Sequence, residues 1–199
     1  MSGAKTLLQM AGANPSPDKL GEAALVIIDA QNEYVTGKLP LDGVNAALDN
    51  IARLLKVGRD AGSPVIHVVQ LGRPGGLFDP ESDAFRIAPQ AAALAGEAVV
   101  EKPLPNSFAK TNLQATLEAT GRKSLIIVGF MTHMCVSATA RSALDHGYST
   151  TVISDAVATR PLPDPLGGAD IPAEQLHRIA LAELADRFAT IARVSDIKA

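Results

Sequence analysis

The sequence contains a single cysteine among its 199 residues. One thiol cannot form an intrachain disulfide, so a secreted disulfide scaffold is excluded and a reducing compartment is indicated. The chain also has no excess of basic residues, because its formal net charge is −3 at pH 7. No positive field is available to hold nucleic acid phosphates, and we expect no nucleic acid partner.

Long hydrophobic runs are absent as well. No uninterrupted apolar stretch approaches the ~20 residues that a membrane-spanning helix needs, so we expect no membrane partner. The first apolar patch is interrupted at residues 14–17, Asn-Pro-Ser-Pro. That break comes too early for the hydrophobic region of a secretory signal. These features predict a cytoplasmic protein.

The usual cofactor and catalytic motifs are missing too. No strand is followed by G-x-G-x-x-G, and no G-x-x-x-x-G-K-[ST] occurs, so nucleotide cofactors lose their usual phosphate-binding loop. The four histidines form neither an H-x-x-x-H nor an H-E-x-x-H pair, and there is no G-x-S-x-G elbow. We therefore predict no cofactor and no bound metal.

What the sequence does contain is an alternation of short apolar runs and amphipathic segments. The apolar runs predict six strands, at 24–29, 64–70, 98–101, 124–129, 149–154 and 188–194. Helical spacing follows at 42–61, 111–120, 133 or 134 to 146, and 172–185. We interpret residues 1–199 as one domain with an N-terminal extension at 1–20.

This alternation predicts an α/β fold: a three-layer α-β-α sandwich with a mostly parallel, Rossmann-like sheet. In the common strand order 3-2-1-4-5-6, strands 1 and 4 are central neighbours, and ligands bind at the carboxyl ends where the order switches. Asp29 ends strand 1, and Cys135 follows strand 4. The predicted topology therefore brings a carboxylate and the only thiol into one crevice.

Each candidate residue also has a structural explanation. Cys135 lies near a predicted helix N-terminus, whose amides favour a thiolate and lower its pKa, but a lone cysteine is often buried and inert. Asp29 is a possible helix cap or loop anchor, and Lys102 at a strand end is typical of a solvated charge. Asp155, which ends strand 5, is interpreted as a turn anchor, and His67 as a core histidine.

Four stretches resemble the isochorismatase-like cysteine hydrolase superfamily, which includes nicotinamidases, N-carbamoylsarcosine amidase and isochorismatases. They are LVIIDAQNEY (25–34), EKPLPNSFAKTNL (101–113), LIIVGFMTHMCVSATARSA (125–143) and VISDAVAT (152–159). The third is highly specific, because Gly-x-x-Thr-His-x-Cys-Val after an apolar strand rarely arises by chance.

The resemblance implies a catalytic triad of Asp29, Lys102 and Cys135. It also implies a cis peptide bond between Phe130 and Met131, which would direct the backbone N–H groups of Met131 and Cys135 into one oxyanion hole. The activity implied is hydrolysis of a small amide or carbamoyl compound through a thioester. Two alternatives remain open: vinyl ether hydrolysis of the isochorismatase type, with Asp29 as general acid, and a noncatalytic binding role.

The loops that flank the site are expected to contact the small-molecule substrate. Arg73, Phe78, Phe108 and His133 are the candidates, and His133 is interpreted as lining the pocket rather than pairing with the thiol. Nicotinamidases carry an Asp-x-His metal pair after the second strand; Gln70 and the residues after it form no such pair, which supports the expectation of no metal. The resemblance further implies a homo-oligomer, a dimer or larger.

Overall fold

Six strands and five α-helices alternate along residues 3–199, the part of the chain that the computed structural model describes. The strands are β1 (Ala24–Ile28), β2 (Val65–Gln70), β3 (Ala98–Lys102), β4 (Ser124–Phe130), β5 (Ser149–Ala158) and β6 (Thr190–Ala192). The helices are α1 (Leu7–Met10), α2 (Val44–Asp60), α3 (Leu113–Thr120), α4 (Ser137–Asp145) and α5 (Ala173–Arg187).

The strands form one sheet in the order β3-β2-β1-β4-β5-β6, and the predicted order is confirmed. All five pairings are parallel, so the carboxyl ends of the strands share one edge. At that edge Gln70 is in register with Lys102, and Ile28 with Gly129. β1 is buried along its whole length, as expected for a parallel strand covered on both faces.

Two apolar clusters cover the two faces of the sheet. Helix α2 packs on one face through its buried stripe, which includes Leu48, Ile51 and Leu55. The other face is covered by α3, α4 and α5, whose buried residues include Leu113, Leu117, Ala140, Ala143, Leu181 and Leu184. The result is the three-layer sandwich that the sequence predicts.

The boundaries of the last two strands differ from the prediction. β5 continues to Ala158 across a register shift in its pairing with β4, so Asp155 lies inside the strand and not at its end. The prediction of a turn anchor was wrong in its position, because the strand passes through this polar residue. Asp155 instead anchors the segment after β6, accepting a hydrogen bond from Val194 N–H at 2.9 Å.

The N-terminal extension contains the unpredicted helix α1, which begins at a capping box on Thr6. Its Leu7 N–H donates to Asp186 Oδ1 at 2.7 Å, which attaches it to α5. Thr151 in β5 donates to Asp18 Oδ2 at 2.7 Å. Among residues 3–199, no helix has both the length and the apolar character needed to cross a bilayer.

Candidate active site

Three residues that are far apart in the sequence converge at the carboxyl edge of the sheet. Asp29 follows β1, Lys102 ends β3, and Cys135 lies five residues after β4. Lys102 Nζ is 2.8 Å from Asp29 Oδ2 and 3.3 Å from Cys135 Sγ. The exposed fraction is 0% for Asp29 and Lys102 and 4% for Cys135. The ammonium group therefore joins the carboxylate and the sulfur in a space almost closed to water.

Gln70 is a fourth member of this group that the sequence analysis did not identify. Lys102 Nζ donates to Gln70 Oε1 at 2.6 Å. The buried Gln31 in turn fixes the backbone of Gln70, accepting from its N–H at 2.8 Å and donating to its carbonyl at 3.1 Å. The signal for Gln70 was its register opposite Lys102, which becomes visible once β2 and β3 are paired.

The backbone at Asp29 turns sharply where β1 ends. Its φ angle is 49°, in the left-handed region that aspartate tolerates better than most residues. The Asp29 N–H still donates to Val68 O at 2.8 Å, and its carbonyl accepts from Gln31 N–H at 2.8 Å. The carboxylate is thus carried by a backbone that is bonded on both sides of the turn.

Burial dominates the electrostatics of the Asp29 carboxyl group. It raises the pKa of Asp29, although the charge of Lys102 and hydrogen bonds from Lys102 and Cys135 act in the opposite direction. A carboxyl group with a raised pKa is a better base near neutral pH, because a general base works best when its pKa lies near the working pH.

The Cys135 thiol is also harder to ionise than a free cysteine. Burial and the negative charge of Asp29 raise the pKa of Cys135 to about 12, against the opposing effect of Lys102. The expectation of a lowered thiol pKa was wrong, because the sulfur is buried. Cys135 also lies in a π-helical turn, Thr132–Val136, and not in the first turn of α4. At neutral pH the sulfur is therefore mainly a thiol.

The turn before Cys135 has an unusual backbone. The Phe130–Met131 peptide bond is cis, at the position that the resemblance implies. Gly129 has a φ angle of 108°, and a Cβ atom there would lie 1.9 Å from Ile28 O, so only glycine fits. Within residues 3–199, the Met131 N–H donates to no backbone carbonyl. That N–H is available to a substrate oxygen.

Two of the four predicted substrate contacts do not join this group. Phe108 stacks on His146, with ring centroids 4.6 Å apart, at the end of α4 opposite Cys135. It is a core aromatic residue, because the loop after β3 folds back along α4. Arg73 is exposed, in a turn closed by a 2.9 Å hydrogen bond from Gly76 N–H to its carbonyl.

Phe78 packs on Tyr34, a residue that the sequence analysis did not single out. The Tyr34 ring packs edge-on between Phe78 and Phe130, at centroid distances of 5.1 and 5.7 Å. Burial raises the pKa of Tyr34, and the negative charge of Asp29 raises it further. The phenol therefore lies within electrostatic range of the carboxylate.

His133 follows β4 and Arg160 follows β5, and each has one buried polar atom without a partner among residues 3–199. The His133 Nδ1 atom shares a hydrogen bond with Thr159 Oγ1 rather than with the thiol. His133 Nε2 and Arg160 Nε are buried and have no hydrogen-bond partner within residues 3–199. Burial and the charge of Arg160 lower the pKa of His133, so the imidazole is neutral at pH 7. The sequence signal for Arg160 was its place directly after the stretch 152–159.

Metal ligands do not cluster in the described part of the chain. Among residues 3–199, no group of three or more His, Cys, Asp or Glu side chains is arranged to hold a metal ion. The expectation of no metal stays a prediction.

Residues 23–196 match the family model of the isochorismatase domain. The chain belongs to the isochorismatase family. It is 43% identical over 189 residues to a secreted isochorismatase effector of Verticillium dahliae, covering 94% of this chain and 96% of the relative. The crystal structure of an isochorismatase from Pseudomonas putida KT2440 is similar, with a TM-score of 0.93 and 45% identity, covering 98% of this chain and 100% of that one.

The relatives of this chain include an amide hydrolase. A maleamate amidohydrolase from Pseudomonas putida is 31% identical over 158 residues, covering 69% of this chain and 72% of the relative. Members of the family are hydrolases, and this chain is a hydrolase. Because one of the relatives is secreted, the cytoplasmic location stays a prediction.

Proposed function

We propose that this hydrolase cleaves the C–N bond of a small amide or carbamoyl compound through a thioester on Cys135. The observation that carries the proposal is the position of Lys102 Nζ, 2.8 Å from Asp29 Oδ2 and 3.3 Å from Cys135 Sγ. A structural ion pair would not need a sulfur as its third member. A nucleophile with a base and a cation within hydrogen-bond reach is the arrangement that covalent catalysis requires.

The first half of the reaction forms the thioester. Asp29 takes the thiol proton as the sulfur bonds to the carbonyl carbon, so the thiolate is never exposed to water. The developing oxyanion accepts hydrogen bonds from the backbone N–H groups of Met131 and Cys135. When the C–N bond breaks, Asp29 returns the proton to the nitrogen, and ammonia or an amine leaves.

The second half of the reaction releases the acid. A water molecule loses a proton to Asp29 as its oxygen bonds to the thioester carbon. The C–S bond then breaks, and the proton on Asp29 passes to the departing sulfur, which restores the starting state. Lys102 stays protonated throughout and stabilises the negative charge as it moves between the carboxylate and the sulfur.

The proposed substrate class rests on two unsatisfied groups, one in the segment after β4 and one in the segment after β5. A buried guanidinium Nε–H and a buried imidazole nitrogen lose free energy unless a ligand supplies partners. Arg160 is the cation, and carboxylates suit its planar set of donors. We therefore assign to the substrate a carboxylate or a similar acceptor a short distance from the amide. The 4% exposure of Cys135 favours a small compound.

The raised pKa of Asp29 also suits a second reaction. A protonated carboxyl group is the general acid that vinyl ether hydrolysis needs, and this reaction does not use the sulfur. The isochorismatase-type reaction therefore remains the second candidate.

Ammonia release from matched compounds tests the proposal. Succinamate and maleamate carry a carboxylate beside the amide, whereas succinamide has the same skeleton without the charge. We expect the two monoamides to be hydrolysed with the higher kcat/KM. Cys135→Ala is expected to lose at least about 10⁴-fold in kcat, because the acyl-enzyme can no longer form.

Acid quenching during turnover, followed by mass spectrometry, is expected to find the acyl group on the peptide that contains Cys135. Cys135→Ala that retains ammonia release contradicts the proposal. So does a wild-type protein that releases no ammonia from amides or carbamoyl compounds. Retention of vinyl ether cleavage by Cys135→Ala supports the second candidate.

A further inference from the structure

The segment from Met131 to Cys135 carries both proposed oxyanion donors, and a polar side chain lies between them. Thr132 is 0% exposed. Its Oγ1 atom is 3.0 Å from Nδ1 of His177, a residue in the middle of α5. Helix α5 therefore has a polar attachment to the turn that presents the nucleophile.

Burial lowers the pKa of His177, which favours the neutral imidazole. A neutral imidazole has one N–H and one acceptor nitrogen, and a threonine hydroxyl can donate or accept, so the contact forms with either tautomer of the ring. The hydrogen bond between Thr132 and His177 thus links α5 to the turn.

Breaking the hydrogen bond between Thr132 and His177 would be energetically unfavourable. A buried hydroxyl without a partner is unfavourable, and Thr132 makes no other side-chain hydrogen bond within residues 3–199. Thr132 directly follows Met131, whose N–H has no backbone acceptor in the described part of the chain. A displacement of Thr132 would move Met131 with it.

We propose that His177 is a positioning residue that acts through Thr132 to hold the N–H groups of Met131 and Cys135 where the oxyanion develops. This inference rests on the proposed function, because it concerns the same oxyanion. Its effect belongs to the reaction step and not to substrate binding, since the ground-state carbonyl does not yet carry the negative charge.

Two pairs of variants test it, with the steady-state hydrolysis of succinamate as the readout. Thr132→Val keeps the shape of the side chain and removes the hydroxyl, whereas Thr132→Ser keeps the hydroxyl. His177→Ala removes the partner of the Thr132 hydroxyl, whereas His177→Asn places an amide group, which can accept or donate, near the position of Nδ1. Thr151→Val is the matched control, because it also removes a buried threonine hydroxyl, at the far end of β5 from the site.

We expect Thr132→Val and His177→Ala each to lower kcat about tenfold, with KM within about twofold of wild type, because a small misplacement of reacting groups costs this much or more. Thr132→Ser and His177→Asn are expected to recover most of the loss. The double variant Thr132→Val, His177→Ala is expected to lose no more than either single variant, since both break one contact. Thr151→Val is expected to lower Tm and leave kcat unchanged.

The inference is overturned if Thr132→Val lowers Tm but keeps the wild-type kcat, or if the losses of the two single variants multiply in the double variant. Failure of the proposed function would look different, because the wild type itself would release no ammonia. Succinic semialdehyde then serves as the probe. Its hemithioacetal with Cys135 places an oxygen at the same two N–H groups, and calorimetry should show about tenfold weaker binding to Thr132→Val. The inference is overturned if the aldehyde binds the wild type and Thr132→Val equally well, or if it does not bind the wild type.

Discussion

An ion pair lies near each end of strand β3, one buried and one partly buried. The pKa values of their carboxyl groups shift in opposite directions. At the carboxyl end, Asp29 Oδ2 lies 2.8 Å from Lys102 Nζ, and the pKa of Asp29 is raised. Just before the strand begins, Glu97 Oε1 lies 2.7 Å from Arg59 Nε, and the pKa of Glu97 is lowered to about 2. The distances are almost equal, so the distance between the charges does not explain the difference.

The depth of burial explains the difference between the two pKa shifts. Burial acts to raise the pKa of Glu97, but hydrogen bonds from Arg59, from Leu94 N–H and from His67 outweigh it. Asp29 is fully buried, and its hydrogen bonds and the charge of Lys102 do not outweigh that burial. A carboxylate whose donors outweigh its burial is a structural anion, whereas one whose burial outweighs its donors is ready to accept a proton.

The largest effect expected from this comparison is the loss of activity in Asp29→Asn. An amide cannot take the thiol proton, so kcat for succinamate should fall by about 10³–10⁴-fold. Asp155→Asn is the matched control, because Asp155 is a carboxylate in β5 that only accepts from Val194 N–H, and its kcat should stay within about threefold of wild type. Steady-state kinetics give both values, and equal losses would remove the distinction between the two carboxylates.

Glu97→Gln is expected to lower the stability of the protein and to leave its activity unchanged. Loss of the anion leaves Arg59 without its bidentate partner, which should lower the free energy of unfolding by about 2 kcal/mol while kcat stays near the wild-type value. Urea unfolding measures the loss. Glu183→Gln is the control, because its ion pair with Arg141 is exposed and should contribute less than about 1 kcal/mol.

Acid should abolish the difference between Glu97→Gln and wild type. Because the folded pKa of Glu97 is depressed, its contribution is present above the unfolded value of about 4.3 and is lost as pH falls toward about 2. The unfolding curves of the two proteins should therefore converge over this range. A gap that stays constant from pH 6 to pH 3 would show that Glu97 acts through packing and not through its charge.

The smallest effect is expected for Gln70→Met. It removes the 2.6 Å acceptor of Lys102 Nζ while keeping a side chain of similar length, so the ammonium group loses one of its three partners. We expect kcat to fall about tenfold through misplacement of Lys102. Gln175→Met, an exposed glutamine on α5, is the control. Unchanged kinetics for Gln70→Met would mean that Asp29 and Cys135 alone position the cation.

The fold could be predicted from the sequence because its signals are local. Continuous apolar runs such as residues 24–29 identify strands buried on both faces, and their alternation with helices leaves few possible topologies. The convergence of Asp29 and Cys135 followed from strand order alone. The addition of Lys102 required the resemblance, since a strand-end lysine is usually solvated.

The remaining features depend on contacts between distant segments. The pairing of Thr132 with His177 joins residues 45 positions apart, and no local pattern identifies it. The thiol pKa was predicted in the wrong direction because a helix N-terminus can be read from sequence, whereas the depth of burial cannot. Phe108 was predicted to contact the substrate, but its ring stacks on His146 at the far end of α4, and no local pattern shows that contact.

The protonated state of the resting sulfur has a consequence for where this enzyme can work. Peroxides attack thiolates, and thiols react poorly with them. Because burial and the charge of Asp29 raise the pKa of Cys135, the thiolate is a minor form at neutral pH. The sulfur is therefore less open to oxidation than an exposed cysteine. A lone cysteine of this kind does not by itself indicate a reducing compartment.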